Sequence, residues 1–227
     1  MLGVRLVKNS RRFLAYSNVQ VSENTDGFEI LINSRKLRVP RTSEVVKVKS
    51  RDIAEIVALE WAGQKHRDLT MIQKHTLYMT QLCFAEQELS ETADKAGVIE
   101  EMLKYLQTDT CLFRSPVNDS LESLDGSPGA KLCDMQNEQW GPIKTWFEQR
   151  FDVKMENAQG FKLPTVPQEA FAAISEYLNS YDVSVLITFE KMCLALKSMM
   201  LSVMVVERQI SVEEAVRLRC VRRILQL

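Results

Sequence analysis

Apolar and polar residues alternate along the first fifty residues of the chain. Residues 28–32 place an apolar side chain at every second position, and 36–39 resume the alternation after Asn33 and Ser34. This pattern predicts a β-hairpin. The β-branched segment 45–48 adds another short strand. Three or four such strands form a small antiparallel sheet that needs other elements to cover it.

The period becomes helical after Ser50. Ile53, Val57 and Trp61 follow i, i+4 spacing and predict an apolar helix face. Further helices are predicted to the end of the chain, and the longest is one continuous apolar helix over residues 183–206. The final helix begins at a capping box formed by Ser211 and Glu214.

A helix is also predicted from the apolar spacing of residues 140–151. It should begin near Trp140, because Pro142 is tolerated best in a first turn. The chain is therefore predicted to be an α+β protein, with a small N-terminal antiparallel β-rich part followed by a larger multihelical part. We place a possible basic or targeting arm at 1–10, the β-rich domain at 11–50 and the α-helical domain at 51–227.

Composition and charge argue against several classes of protein. The chain has 227 residues and a net charge of −1, from 29 basic and 30 acidic residues, so nucleic acid is not an expected partner. The five cysteines are an odd, dispersed set without a CxxC pair, which disfavours a disulfide framework and a zinc ribbon. The apolar segment 192–206 is too short to predict a membrane span.

The first acidic residue is Glu23, whereas residues 1–22 contain four basic side chains. This bias is typical of a mitochondrial transit peptide, although a basic arm that leads into the first strand has the same composition.

Motifs for catalysis are missing from the sequence. It contains no glycine-rich phosphate loop, no G-x-S-x-G and no H-E-x-x-H. The two histidines, His66 and His75, do not form a nucleophilic pair with Cys83, because His75 and Cys83 are two helical turns apart. We therefore expect no catalytic residues, no cofactor and no metal. An enzyme with a site of another kind remains the minor alternative, which a deep polar pocket would favour.

The segment Ala58-Leu59-Glu60-Trp61-Ala62-Gly63-Gln64 resembles the A-x-E-W-x-x-Q signature of the mitochondrial ATP synthase F(1) complex assembly chaperone family. Further similarities follow in the family's order from residue 12 to residue 216. They are Arg12-Phe13, Gly27-Phe28-Glu29-Ile30, Arg35-Lys36-Leu37-Arg38-Val39-Pro40, Thr70-Met71, Tyr105-Leu106-Gln107-Thr108-Asp109-Thr110, Gln139-Trp140-Gly141-Pro142-Ile143 with Trp146 and Arg150-Phe151, Leu196-Lys197-Ser198-Met199, and Ser211-Val212-Glu213-Glu214-Ala215-Val216.

This resemblance implies a chaperone of the mitochondrial matrix, without a cofactor, that binds the unassembled alpha subunit of ATP synthase. Such a chaperone prevents aggregation of its client and promotes assembly of the F(1) sector. Trp61, Trp140 and Trp146 are candidate aromatic anchors for the client, and Glu213 and Glu214 are candidate acidic contacts. We expect the protein to be a monomer.

The end of the chain departs from the family's pattern. The family continues after E-E-A-V into an acidic cluster, whereas this chain has Arg219, Arg222 and Arg223 in a basic segment. The altered tail leaves a second interpretation open, in which the protein is a helical scaffold or adaptor that keeps the fold without this client.

Overall fold

The computed structural model of the chain describes residues 18–64, 72–92, 94–116, 128–159 and 162–223. These residues belong to two units, Met1–Ala93 and Asp94–Leu227. The predicted N-terminal arm, 1–10, lies outside the described residues.

An antiparallel sheet forms the beginning of the first unit. Its strands are β1 (Val19–Asn24), β2 (Gly27–Ile32), β3 (Arg35–Lys36) and β4 (Lys47–Val48). β2 pairs with each of the other three. The predicted hairpin is confirmed: Asn33 and Ser34 have φ values of 49° and 66°, the left-handed backbone that a tight two-residue hairpin turn requires.

Two helices complete the first unit, α1 (Arg51–Ala62) and α2 (Tyr78–Thr92). Ile30 of β2 and Val46, the residue before β4, pack in one apolar cluster with Val57 and Trp61 of α1 and Cys83 of α2. The sequence prediction placed a division at residue 50, whereas the first packed unit includes both helices. The physical reason is that a small sheet with one apolar face needs a second layer to cover it.

The second unit is mainly helical. Its elements are α3 (Lys95–Gln107), β5 (Phe113–Arg114), α4 (Pro128–Phe151), β6 (Ala158–Gln159), α5 (Gln168–Asn179), α6 (Val183–Leu196), α7 (Met199–Val206) and α8 (Val212–Arg219). β5 and β6 form a short parallel pair. Phe147, Phe189 and Ile174 are fully buried, as are Met199 and Met200, which therefore fill the core. The α+β fold class is confirmed.

The predicted continuous helix over 183–206 is wrong. Lys197 has a φ of 57°, and this left-handed residue ends α6 before Ser198 caps α7 by accepting a hydrogen bond from the N–H of Leu201. The Asp109 carboxylate also accepts a hydrogen bond from the N–H of Met200, at 2.9 Å. A side chain distant in sequence thus stabilises the new helix start, which apolar periodicity does not reveal.

The predicted start of a helix near Trp140 is also wrong, because α4 begins at Pro128 and contains Pro142 in its interior. Pro142 lacks the N–H that would bond to the carbonyl of Glu138. Both residues are exposed, so water can satisfy this carbonyl.

Candidate functional site

The segment Ala58–Gln64, which contains the signature residues, lies at the end of α1. Glu60 reaches the first turn of α2, where its two carboxylate oxygens accept hydrogen bonds from the N–H groups of Met79 and Thr80 at 2.7 and 2.8 Å. The Thr80 hydroxyl donates a further bond of 2.7 Å to the same carboxylate. Because the first N–H groups of a helix have no partner within the helix, Glu60 caps α2 from outside.

Gln64 also bonds to the segment just before α2. Its side-chain N–H group donates to the Thr76 hydroxyl at 2.7 Å, and its carbonyl oxygen accepts the backbone N–H of Gln73 at 3.0 Å. Gln64 is buried. Its amide therefore fixes the segment that leads into α2, from a position just beyond the C-terminal end of α1.

Trp61 lies between these two polar residues in sequence and is only 7% exposed. Its ring belongs to the apolar cluster of the first unit. The three signature side chains together hold α1, the sheet and α2 in one arrangement. Direct contact between Trp61 and a partner stays a prediction.

Trp140 of α4 is 1% exposed and positions α8. Its indole N–H donates a 2.9 Å hydrogen bond to the carbonyl of Leu218, one of the last carbonyls of α8. The guanidinium of Arg114 lies 5.6 Å from the centre of the indole ring. Trp146, on the same helix, is half-buried. Trp146 is therefore partly accessible, whereas Trp140 is enclosed.

The helix α8 carries the two predicted acidic residues. The capping box is confirmed in its main contact, because the Ser211 hydroxyl accepts the N–H of Glu214 at 3.1 Å. Glu214 forms an ion pair with Arg217. Glu213 is exposed, and hydrogen bonds from its own backbone and from Ser211 lower the pKa of its carboxyl.

Two valines beside Glu213 are exposed to an unusual degree. Val212 is 61% and Val216 47% exposed, and they lie one helical turn apart. We call the surface formed by Val212, Glu213 and Val216 the α8 face. Apolar periodicity does not indicate their exposure, because it does not show which face of α8 other elements cover; the buried residues of α8 are Ala215 and Leu218.

The chemistry of the described residues does not indicate catalysis. Burial raises the pKa of the Cys83 thiol to about 11, so this thiol is protonated and unreactive at neutral pH. Within the described ranges no group of three His, Cys, Asp or Glu side chains is placed to hold a metal ion. No described helix combines the length and apolar character needed to cross a membrane.

Comparison with known proteins places these features in a family. The sequence profile described as ATP12 chaperone protein matches residues 11–148. The mitochondrial protein atp12 of Schizosaccharomyces pombe is 27% identical over 196 residues, which cover 83% of this chain and 63% of that relative. The chain thus spans less than two thirds of the length of this relative.

Solved structures share the fold. Atp12 from Paracoccus denitrificans superposes with a TM-score of 0.72 at 19% identity, over 95% of this chain and 84% of its own. A putative chaperone from Agrobacterium tumefaciens, Atu1473, has a TM-score of 0.72 at 21% identity, over 93% of this chain and 72% of its own.

Proposed function

This chain belongs to the ATP12 chaperone family, and on that premise we propose that it binds the unassembled alpha subunit of mitochondrial ATP synthase. In this proposal it is not an enzyme. It prevents aggregation of the alpha subunit in the mitochondrial matrix and promotes assembly of the F(1) catalytic sector.

The observation that carries the proposal is the match to the family over residues 11–148. This range contains Glu60, Trp61 and Gln64, whose contacts hold the first unit together, and it contains Trp140, which fixes a carbonyl of α8. The mitochondrial name of the Schizosaccharomyces pombe relative supports the location. The alpha subunit as client rests on the sequence resemblance described above.

The surface of the second unit supports protein binding in physical terms. An unassembled subunit exposes apolar interface, which is an aggregation hazard until another protein covers it. The α8 face offers Val212 and Val216 for such a surface, with Glu213 between them as a charged neighbour. A small amphipathic face binds weakly enough to be displaced by the next subunit during assembly.

The predicted site residues take different roles in this proposal. Glu213 and Glu214 contact the client at or beside the α8 face, and Trp146 provides a partly accessible aromatic ring on α4. Trp61 and Trp140 maintain the two units that present these surfaces.

Complementation of an assembly-deficient cell tests the proposed function. Expression of the full chain should restore assembled ATP synthase, and capture of the tagged chain from mitochondria should recover the alpha subunit. A chain that folds in mitochondria but captures no alpha subunit and restores no assembly would contradict the proposal. That result would favour the alternative of a scaffold or adaptor with another partner.

A further inference from the structure

A concave surface of the first unit combines cationic and apolar side chains. The cavity has a volume of about 570 Å³ and lies where β3 and its hairpin turn meet the end of α1. Leu37, Trp61 and Ile72 provide its apolar part. Ile72 is 38% exposed and is accessible from solvent, whereas Leu37 and Trp61 are each 7% exposed and close the cavity on the core side.

Three basic side chains line the same cavity, Arg35, Lys36 and Arg38. Lys36 pairs with Glu29 at 2.7 Å, which balances its charge. Arg38 donates a 2.7 Å hydrogen bond to the carbonyl of Ser43, a neutral group that leaves the charge of the guanidinium in place. Arg35 is exposed and forms no ion pair with any described residue. Among the described residues, Lys36 has an ion-pair partner, whereas Arg35 and Arg38 have none.

The register of the sheet explains why Arg35 borders the cavity. Arg35 lies opposite Ile32 in the β2–β3 pairing, and it shares a sheet face with Leu37 because side chains two residues apart point to the same side. Leu37 is buried in the core. Arg35 therefore stands on the core-facing side of the sheet, at the point where the core opens to solvent.

Charges on an edge strand also prevent aggregation between sheet edges. A single charged side chain along the exposed edge is enough for this role, and Lys36 provides one. This role does not require an arginine beside an open apolar cavity that includes a tryptophan.

We propose that this cavity binds an acidic segment of a client protein, with an Asp or Glu carboxylate at Arg35 and a neighbouring apolar side chain over Ile72. Arginine holds carboxylates in a planar, often bidentate geometry, and the apolar part adds contact area. Two arginines without an ion pair among the described residues, on a chain of net charge −1, are too few to retain a nucleic acid. The inference deepens the proposed function and rests on it for the identity of the client, the alpha subunit.

Fluorescence anisotropy with the full chain tests this inference with two probes. One probe is a labelled peptide in which glutamate alternates with leucine, and the other is the purified alpha subunit. Arg35→Glu should raise the Kd for the peptide by about tenfold or more, because it places like charges together. Added salt should weaken binding by the wild-type chain. A peptide in which lysine alternates with leucine should not bind.

Arg41→Glu is the matched control, since Arg41 is also exposed in the first unit but does not line the cavity. It should change the Kd by less than about twofold. Circular dichroism and the urea midpoint should be the same for both variants and the wild type, which separates lost binding from lost folding.

The outcomes distinguish the two proposals. Equal affinity of wild type and Arg35→Glu for the acidic peptide, or no binding of that peptide, would overturn the acidic-segment inference. Binding of inorganic phosphate that depends on Arg35, without peptide binding, would assign the cavity to small anions and would overturn it too. Arg35-dependent peptide binding without binding of the alpha subunit would leave the inference intact and refute the proposed client.

Discussion

Asp109 is a fully buried carboxyl group that connects two distant parts of the second unit. Its oxygens accept hydrogen bonds from the N–H of Cys111 at 2.9 Å and from the N–H of Met200 at 2.9 Å. Burial raises its pKa to about 6, although these hydrogen bonds act in the opposite direction. The folded protein therefore retains a proton on Asp109 at pH values where the unfolded chain has lost it.

This raised pKa predicts a dependence of stability on pH. Because the folded state binds the proton of Asp109 more tightly, this group stabilises the folded protein. Its contribution to the free energy of unfolding is fully present below pH 3.8 and is lost as pH rises through about 6. The free energy of unfolding of the wild type should fall by about 3 kcal/mol over this range, relative to Asp109→Asn. Urea unfolding at a series of pH values measures it. A difference between the two proteins that does not vary with pH would contradict the raised pKa.

Glu60 gives a second prediction at this scale. Glu60→Ala removes the cap from α2 and leaves the N–H groups of Met79 and Thr80 without it, so it should cost about 2–3 kcal/mol of stability. Glu55→Ala on the same helix is the control, because the ion pair of Glu55 with Arg51 is exposed and its loss should cost less than about 0.5 kcal/mol. Equal unfolding free energies for the two variants would refute the capping role.

Sequence patterns predict only some of these helix caps. The Ser211 capping box was predictable because its partners are three residues apart in sequence. Glu60 caps a helix that begins eighteen residues later, and Asp109 caps one that begins ninety residues later. Capping groups supplied by tertiary contact leave no local signature, so the sequence indicated Glu60 only as part of a family motif.

At the scale of elements, periodicity identified the hairpin, α1 and α8 but not the break between α6 and α7. The apolar stripe continues on both sides of Lys197, since α6 buries one apolar face and most residues of α7 are buried. The break depends on the left-handed backbone of Lys197, whose carbonyl accepts hydrogen bonds from the N–H and the hydroxyl of Thr110 at 3.1 and 2.7 Å.

Lys197→Gly tests this description of the break. Glycine adopts a φ of 57° without the steric cost that a side chain has there, so the variant should be more stable by about 0.5–1 kcal/mol. Lys191→Gly is the control, because Lys191 is an exposed residue inside α6 and glycine should destabilise the helix there by about 1 kcal/mol. Thermal unfolding of both variants provides the comparison, and destabilisation by both would show that Lys197 does not require a left-handed backbone.

At the scale of the molecule, the sequence predicted an α+β fold with the sheet first, because the change from alternating to helical periodicity is sharp near Ser50. It left open whether the Trp61 face of α1 packs against the sheet or against the next helix, since periodicity shows that a face is apolar but not which element covers it. The same limit applies to the candidate site. Exposure of Val212 and Val216 and the cavity beside Arg35 depend on which neighbours are present, and only the folded structure shows these.

Size-exclusion chromatography with light scattering on the two purified proteins measures the proposed binding of the unassembled alpha subunit of ATP synthase by this chain. The two proteins should form a soluble complex of defined mass, and the alpha subunit should aggregate less. Val216→Asp should weaken this complex, whereas Leu163→Asp, an exposed residue of the second unit outside the α8 face, should not. Separate elution of the wild-type chain and the alpha subunit, with aggregation of the alpha subunit unchanged, would contradict the account.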